Sequence, residues 1–260
     1  KLCEKYIDSL TNLVSCYLSE IIDIKTNLIR QDILLSSARD GIKRSSSFYD
    51  NVIAWSTINL AQQLSIPLKT KQIPPDTFKK NILNTFWNPN LGIFNDDLIN
   101  HTFSADQLVV LTTQFLNIKS HIDRQKLHGI VLYINQNKLD QPFPLHYSLE
   151  HNPQKLHWPV RYFAPHYMTH SIWSHWGMEY IKLLILLSPD NSDYLNQAKQ
   201  HLNSYKQNIE KYGGYPECYD LKGNPLKERL YRTVLHTSWI INYEQAKMLC
   251  NSYTSTKTSK

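Results

Sequence analysis

The chain has 260 residues, and 42% of them are hydrophobic, which is enough to bury one large core or at most two. Its 28 Lys and Arg against 22 Asp and Glu give a net charge of +6, which permits an anionic partner. The basic residues are scattered, however, and no basic run is longer than two residues. The charge pattern therefore does not indicate binding to nucleic acid.

The longest apolar run, at residues 181–187, already contains Lys182 and is far shorter than the roughly 18 residues that a membrane span requires. We therefore expect a soluble chain with no membrane partner. The first residue is not Met and no leader pattern precedes the first helix, so the N-terminus is expected to be a processed or truncated boundary. The four cysteines form no CxxC pair, which favours free thiols in a reducing, cytoplasmic compartment; a bridge between Cys3 and Cys250 is the alternative.

Apolar residues recur at helical spacing in eight segments. In chain order these are residues 2–22, 52–64, 75–86, 104–116, 122–137, 171–187, 192–212 and 237–251. Residues that favour helix starts stand where they are needed, including Asp50 or Asn51 as the N-cap of the second helix and Pro75 in the first turn of the third. Short pieces at 33–35 and 159–163 are predicted to be extended.

The connections between these helices alternate between short links and long, aromatic-rich loops. The long loops are residues 39–49, 87–103, 142–170 and 213–236, and they contain most of the Trp and His residues. This alternation predicts an all-α fold of helical hairpins in a ring or layered array, with function carried by the loops. We predict one domain over residues 1–251 and a mobile polar tail over residues 252–260.

The loop at residues 213–223 holds the leading functional candidate, Glu217. Pro216 presets its own φ, and the preceding pair of glycines allows a sharp turn. We expect Tyr215 and Tyr219 to flank the carboxylate and to make it a general base in a partly dry pocket. An exposed loop acid is the plainer interpretation of the same residue.

A second candidate acid, Asp50, lies where the first long loop enters the second helix. An aspartate at this place is typical of an N-cap, and a general acid is the alternative interpretation. Its neighbours Tyr49, Asn51 and Trp55 are candidate substrate-binding residues.

The other acidic and imidazole side chains do not form a complete metal-binding pattern. Asp96 and Asp97 follow a turn that begins at Trp87, but they lack the alternating oxygen ligands of a calcium loop. His166 and His170 have the i, i+4 spacing of a metal face without an HExxH motif or a clear third ligand. We therefore predict no metal and no cofactor.

Nine His and Trp residues crowd the segment before and into the sixth helix. They are His146, His151, His157, Trp158, His166, His170, Trp173, His175 and Trp176. Aromatic rings beside imidazoles and Arg161 are typical of a sugar subsite, where rings stack on sugar faces and polar groups bind hydroxyls; packing of helix ends is the alternative. Dinucleotide, phosphate-loop and serine-nucleophile motifs do not occur in the sequence.

Taken together, these segments resemble motifs of the six-hairpin glycosidases, most closely the processing α-glucosidase (glucosidase I-like) and glycogen-debranching groups. Residues 47–51, Ser-Phe-Tyr-Asp-Asn, resemble the family's Ser-Gly-x-Asp-Asn acid motif, and residues 87–97 resemble its Leu-Trp…Gly-Phe-x-x-Asp segment. Residues 169–173 stand where the family has Arg-Gly-Pro-x-Trp. Residues 214–223 are similar to its Phe-x-Glu-x-Tyr-Asp-x-x-Gly base loop, and Ser238-Trp239 also fits.

The resemblance implies an (α/α)6-barrel-like toroid, incomplete at the N-terminus because eight helices fall short of twelve. It implies an inverting hydrolase of an O-glycosidic bond, with an oligosaccharide or glycoside as partner, Asp50 as general acid and Glu217 as general base. The implied substrate-binding residues are Tyr49, Asn51, Trp55, Trp87, Trp158, Arg161, His170, Trp173, Tyr215 and Tyr219.

The sequence also departs from the family pattern. Tyr49 replaces a flexible position, and residues 170–173 lack the family's Gly and Pro. A non-catalytic carbohydrate-binding or helical scaffold protein stays open as the alternative, and an epimerase with histidines at the centre of its cleft is a weaker third. If Asp50 is only a cap, the acid must be sought among Asp40, Asp96, Asp97 and Asp106.

Overall fold

A computed structural model describes residues 2–33, 39, 41–69, 73–149 and 153–258. The protein is mostly helical, with 53% of its residues in helix, as the sequence predicts. In chain order the helices are α1 (Leu2–Ile21), α2 (Phe48–Gln63), α3 (Pro75–Phe86), α4 (Val109–Thr112), α5 (His121–Gln136), α6 (Trp158–Phe163), α7 (Ser174–Leu187), α8 (Ser192–Tyr212) and α9 (Ile240–Thr258).

The strands of the described residues are all two residues long and form three antiparallel pairs. These pairs are β1 (Ile22–Asp23) with β2 (Leu28–Ile29), β3 (Trp87–Asn88) with β4 (Ile93–Phe94), and β5 (Ile172–Trp173) with β6 (Cys218–Tyr219). In the third pair Trp173 lies opposite Cys218. This pair joins two long loops that are distant in sequence, whereas the first two pairs are local hairpins.

Most helix boundaries follow from capping residues in the sequence. The side chains of Ser47, Ser120 and Asn191 accept a hydrogen bond from a backbone N–H in the first turn of α2, α5 and α8. Gly213 ends α8 at φ 66°, a left-handed conformation that glycine adopts without a steric penalty. The predicted bounds of α3 and α8 are therefore confirmed.

Several predicted boundaries need correction. In the helix predicted at 171–187, residues 172–173 form β5 and α7 begins only at Ser174. Ser47, not Asp50 or Asn51, is the N-cap of α2, so Asp50 lies inside the first turn. The segment predicted as one helix at 104–116 is a 3-10 turn at Ala105–Leu108 followed by the short α4. The piece predicted to be extended at 159–163 belongs to α6, whose first turn contains a proline that needs no N–H partner there. Finally, α9 continues past the predicted end at Asn251 into the polar tail.

From α2 to α8, apart from the short exposed α6, more deeply buried helices alternate with helices at the surface. Nearly all of α7 is buried, as are half of the residues of α2 and the whole 3-10 turn before α4, whereas α3, α5 and α8 bury only one stripe each. Long loops follow α3, α5 and α8; the first two lead into the buried 3-10 turn and into α7, and the third leads into α9, which buries one stripe. A short turn at residues 188–191 connects the buried α7 to α8.

The four long loops lie side by side in chain order, because the start of each buried helix is hydrogen-bonded to the loop that precedes the next one. The backbone bonds run from Phe48 N to Asp96 O (2.9 Å), from Ala105 N to Tyr147 O (2.8 Å) and from Ser174 N to Glu217 O (3.1 Å). The loops thus satisfy each other's backbone groups where no regular sheet is present. The N-terminal ends of the buried helices are gathered at this layer of loops.

Free thiols are present at Cys16, Cys218 and Cys250, in line with the expected absence of disulfides at these positions. The side chain of Cys3 lies outside the described residues, as do Asp40, His151 and part of the piece predicted to be extended at 33–35.

Gly177 in the first turn of α7 permits a close approach between the helix and the third long loop. A Cβ atom there would collide with the carbonyl oxygen of Pro144 and with the hydroxyl of Tyr205, which are hydrogen-bonded to each other. We expect Gly177→Ala to lower the free energy of unfolding by about 3 kcal/mol in urea titrations, since overpacking displaces backbone. Gly213→Ala is the control, with open space but positive φ, and should cost about 1 kcal/mol. Equal stability of Gly177→Ala and the parent would contradict this packing.

Candidate functional site

Glu217 lies immediately before β6, and its backbone is fixed on both sides. Its N–H donates to the carbonyl of Val234 (2.9 Å), and its carbonyl accepts from both the N–H and the hydroxyl of Ser174 at the start of α7. Its half-buried side chain accepts hydrogen bonds on both carboxylate oxygens. The hydroxyl of Tyr231 is 2.6 Å from Oε2, and that of Tyr167 is 3.3 Å from Oε1.

Both phenols remain protonated and act as donors to Glu217. Burial, with the nearby thiol of Cys218 and the Glu217 carboxylate adding to it, raises the pKa of Tyr231 far above its usual range. Burial and Glu217 raise the pKa of Tyr167 in the same way. Burial also raises the pKa of Cys218 to about 12, so this thiol is a neutral packing group and not a nucleophile.

Asp50 is buried in the first turn of α2. Its carboxylate accepts from the hydroxyl of Ser47, whose oxygen in turn accepts from the N–H of Asp50 at 3.0 Å, the bond that an N-cap serine makes. The neighbouring Tyr49 has its pKa raised to about 12 by burial and then by the carboxylates of Asp106 and Asp50. The Tyr49 hydroxyl thus lies within the electrostatic reach of two buried carboxylates.

A buried ion cluster holds the first three long loops together. Nη1 of Arg44 is 2.7 Å from Oδ2 of Asp106 and 3.2 Å from Oδ1 of Asp96, while Nη1 of Arg39 is 3.2 Å from Oδ2 of Asp96. The hydroxyl of Tyr147 donates to Asp106 at 3.2 Å. Burial raises the pKa of Asp96, and the two arginines oppose that shift.

The alternative acids that the sequence offered are therefore held by structural partners. Asp96 and Asp106 belong to the ion cluster, and Asp97 accepts from the backbone N–H groups of Ile99 and Asn100 in a turn. Asp40 lies outside the described residues.

Seven aromatic side chains in successive contact form what we call the aromatic wall. It begins at Tyr231, which donates to Glu217, and ends at Tyr49, the residue before Asp50. Successive ring centroids are separated by 4.4 Å (Tyr231 to Tyr167), 5.0 Å (Tyr167 to Trp173), 5.8 Å (Trp173 to Trp239), 5.2 Å (Trp239 to His175), 4.6 Å (His175 to Trp176) and 6.1 Å (Trp176 to Tyr49). The wall draws on all of the long loops except the second. It is a continuous series of ring contacts from the surroundings of Glu217 to those of Asp50, and Trp173 and Trp176 are buried within it.

Some predicted site residues belong to this arrangement and others do not. Tyr49 and Trp173 are in the wall. Asn51 is fully buried, where its Oδ1 accepts from Ile29 N at 2.9 Å and its Nδ2 donates to Ser47 O at 2.7 Å, so its contacts are structural. His170 packs its ring edge-on against His166 at 4.9 Å.

Three other predicted residues pack elsewhere in the core. The indole N–H of Trp55 donates to Pro75 O, and Trp87 packs on Phe94 at 5.0 Å beside the ammonium group of Lys126. Tyr215, expected to flank the carboxylate of Glu217, is buried with its hydroxyl directed to Ser174 O.

Tyr219 is likewise buried, against Phe143 at 4.8 Å between ring centroids. The phenols that do bind Glu217 are supplied by Tyr167 and Tyr231, because the third long loop and the end of the fourth fold over the base.

Sequence reasoning missed Tyr167, Tyr231 and Glu228. The last two belong to a tight turn in which Glu228 N donates to Tyr231 O at 2.8 Å. Oε1 of Glu228 is 2.6 Å from Nδ1 of His166, and this contact joins the turn to the third long loop. Only the recurrence of polar and aromatic residues at 227–232 could have marked this turn, since its partners are more than ten residues away in sequence.

The described residues contain no group of three or more His, Cys, Asp or Glu side chains placed to hold a metal ion. Among the helices of the described ranges, none combines the length and apolar character that crossing a membrane would require. Comparison with models of protein families finds no match to this sequence, and comparison with curated proteins finds none either.

His175 in the wall provides a pH-dependent test of the site's packing. Burial, and then the positive charge of Lys182, lowers its pKa to about 4, and its Nδ1 is 2.7 Å from Nδ2 of Asn242. Because the unfolded state binds more protons than the folded state between about pH 6.5 and pH 4, stability present above pH 6.5 is lost as the pH falls toward 4.

We expect His175→Gln to remove about 2 kcal/mol of the acid-induced loss of stability between pH 7 and about pH 4.5, measured by urea unfolding at both pH values. The quantity compared is the change in the free energy of unfolding between the two pH values. A packing cost of the substitution that is the same at both pH values therefore cancels. His101→Gln, at an exposed loop position, is the matched control. If His175→Gln and the parent lose equal stability on acidification, the imidazole is not held neutral by the wall.

Proposed function

We propose that this protein is an inverting glycoside hydrolase that cleaves an O-glycosidic bond of an α-glucoside or related oligosaccharide. The observation that carries the proposal is the setting of Glu217. Its carboxylate is held on both oxygens by protonated phenols at one end of the aromatic wall, whose other end adjoins Asp50. A carboxylate oriented beside stacked rings is what a glycosidase needs next to the anomeric carbon.

In the proposed mechanism Glu217 is the general base. Each carboxylate oxygen has a further lone pair beyond the one that its tyrosine uses, and these can accept a hydrogen bond from water. The base removes a proton from this water as the water oxygen bonds to the anomeric carbon. Asp50 gives its proton to the departing glycosidic oxygen, so the bond breaks without forming a free alkoxide and the anomeric configuration inverts.

The arrangement of the helices supports placing this chemistry in an α/α toroid. From α2 to α8, with the short α6 as an exception, surface and buried helices alternate, and the long loops are hydrogen-bonded to one another in chain order. A toroid of helical hairpins has this pattern, with its functional loops at the end where the inner helices begin. We propose a toroid that is incomplete within this chain.

One observation favours the alternative of a non-catalytic carbohydrate-binding or scaffold protein. Asp50 is buried and bonded to Ser47 in the manner of a helix cap. If Asp50 serves only in the helix cap, the aromatic wall could still bind sugar, but Glu217 would be the single carboxylate beside it. The two experiments below separate these possibilities.

Glu217→Gln should lower turnover of the substrate at least about 10²-fold and leave its affinity nearly unchanged, since an amide cannot remove the proton from water. Candidate α-glucosides are assayed for released sugar, and proton NMR of the first product should show the anomer opposite to that of the substrate. Asp220→Asn is a matched change in the same loop that should keep its turnover, because Asp220 binds only turn backbone and Asn224. A first product with the substrate's own anomer would overturn the inverting mechanism.

Asp50→Asn should slow the cleavage of poor leaving groups far more than that of activated aryl glycosides, which need little protonation. A structural control exists in α5, where Ser120 and Asp123 repeat the spacing of Ser47 and Asp50. Asp123→Asn should lower stability by about 1 kcal/mol with no dependence on the leaving group.

In a substrate complex the carboxyl groups of Asp50 and Glu217 should lie roughly 6.5–9.5 Å apart, which leaves room for the water. Equal rate losses for good and poor leaving groups in Asp50→Asn would assign Asp50 to capping alone.

A further inference from the structure

Two surface elements next to the candidate base form a patch of exposed rings and cations. One element is α6, and the other is the tight turn at 227–232 near the end of the fourth long loop. We call this patch the cationic face; its residues are Trp158, Arg161, Tyr162, Lys227, Arg229, Leu230 and Arg232.

On α6, two large aromatic rings of the cationic face are mostly exposed. Trp158 and Tyr162 are 70% and 56% exposed and stand four positions apart, and Arg161 is three positions from Trp158. Residues at these spacings lie on one side of a helix. An exposed tryptophan contributes nothing to the core, and tryptophan, tyrosine and arginine together are typical of binding surfaces.

The tight turn has two distinct sides. Glu228 and Tyr231 point inward, to His166 and to Glu217. Arg229 and Leu230 point outward, and Leu230 is 73% exposed.

Lys227 and Arg232 are paired across the turn as an isolated antiparallel bridge, and both are exposed. One short segment therefore holds the candidate base on its inner side and presents cations on its outer side.

Direct contacts join the two elements into one surface. The guanidinium carbon of Arg229 lies 4.7 Å from the centroid of the Tyr162 ring, a cation–π distance. The N–H of Leu230 donates to the carbonyl of Phe163 at 3.3 Å. Since α6 and the turn are connected at both backbone and side-chain level, their exposed groups keep a fixed relation to each other.

The charge of this face is not neutralised within the described part of the chain. No described acid forms an ion pair with Arg161, Lys227, Arg229 or Arg232, whereas other surface cations such as Lys206 and Arg124 are paired with acids. The nearest acid in sequence, Glu228, faces inward to His166. Four cations are thus concentrated on a face beside the site in a chain whose net charge is only +6.

We propose that the cationic face binds an acidic sugar unit of an oligosaccharide whose scissile bond lies at Glu217. The identity of the ligand as a carbohydrate rests on the proposed function; its negative charge rests on the surface itself. Guanidinium groups bind carboxylate or sulfate through paired hydrogen bonds, and the exposed rings offer stacking faces for the sugar. Arg229 is two residues from Tyr231, so their Cα atoms are at most about 7 Å apart and the face is continuous with the site.

The test uses two acidic probes, a hexamer of galacturonate and a heparin-derived hexasaccharide, with neutral maltohexaose as the comparison. Binding is measured by isothermal titration calorimetry on the Glu217→Gln background, where no turnover consumes the probe. We expect at least one acidic probe to bind at least about 10-fold more tightly than maltohexaose. Raising the salt from 50 to about 200 mM should weaken that binding and leave the neutral probe unaffected.

The double variant Arg161→Ala/Arg229→Ala should raise the dissociation constant of the acidic probe at least about 10-fold. The matched control is Lys206→Ala/Lys247→Ala, which removes two exposed cations from α8 and α9 and should change the constant less than about 2-fold. Circular dichroism checks that each variant is folded. All four substitutions are at surface positions, so loss of fold does not mimic the expected result.

The proposal is overturned if both acidic probes bind no better than maltohexaose, or if the two double variants weaken binding equally. It is also overturned if phosphatidylserine vesicles, and neither acidic probe, bind in a manner that Arg161→Ala/Arg229→Ala abolishes, since the face would then belong to a membrane surface. Acidic binding that depends on these arginines, in a protein with no hydrolytic activity, would support the cationic face and refute the proposed hydrolase. Hydrolysis of neutral glycosides by a protein that binds neither acidic probe would support the proposed hydrolase and refute the cationic face.

Discussion

The structure depends on the backbone hydrogen bonds that join the start of each buried helix to the next long loop. The loops contain little regular secondary structure, so their N–H and C=O groups would be unpaired in the interior without these partners. The bonds from Phe48, Ala105 and Ser174 supply the partners and fix the order of the loops. Since the bond from Ser174 ends on the carbonyl of Glu217, the same interaction that assembles the loops also sets the position of the candidate base.

Side-chain charges add a second constraint on the same layer of loops. Arg39 and Arg44 are buried with Asp96 and Asp106, and desolvation of such ions costs free energy that only good geometry and further hydrogen bonds recover. Removing one member would leave an opposite charge buried without compensation. The cluster therefore ties the placement of the first three loops to one another, and the entry of the chain into α2, where Asp50 lies, is part of that placement.

The sequence predicted those features that depend on local patterns. The bounds of α3 and α8 follow from the sequence because apolar spacing, Pro75 and Gly213 all act within a few residues. The same reasoning misjudged α6, where β-branched and aromatic residues favour extended structure in isolation and contacts with two distant loops decide otherwise. It identified Glu217 as a candidate but gave it Tyr215 and Tyr219 as neighbours; the true partners, Tyr167 and Tyr231, are brought in by loop packing that no local pattern encodes.

The turn at 227–232 connects the cationic face to the candidate base. Its inner side is anchored twice, by Tyr231 on Glu217 and by Glu228 on His166, so its outer side cannot shift without disturbing the base. A sugar unit bound by Arg229 would therefore be held at a fixed offset from the Glu217 carboxylate. Binding energy from a remote unit then serves to orient the bond to be cleaved, since positions set in advance lower the entropic cost of reaching a reactive geometry. A mobile loop bearing the same cations could add affinity but not this alignment.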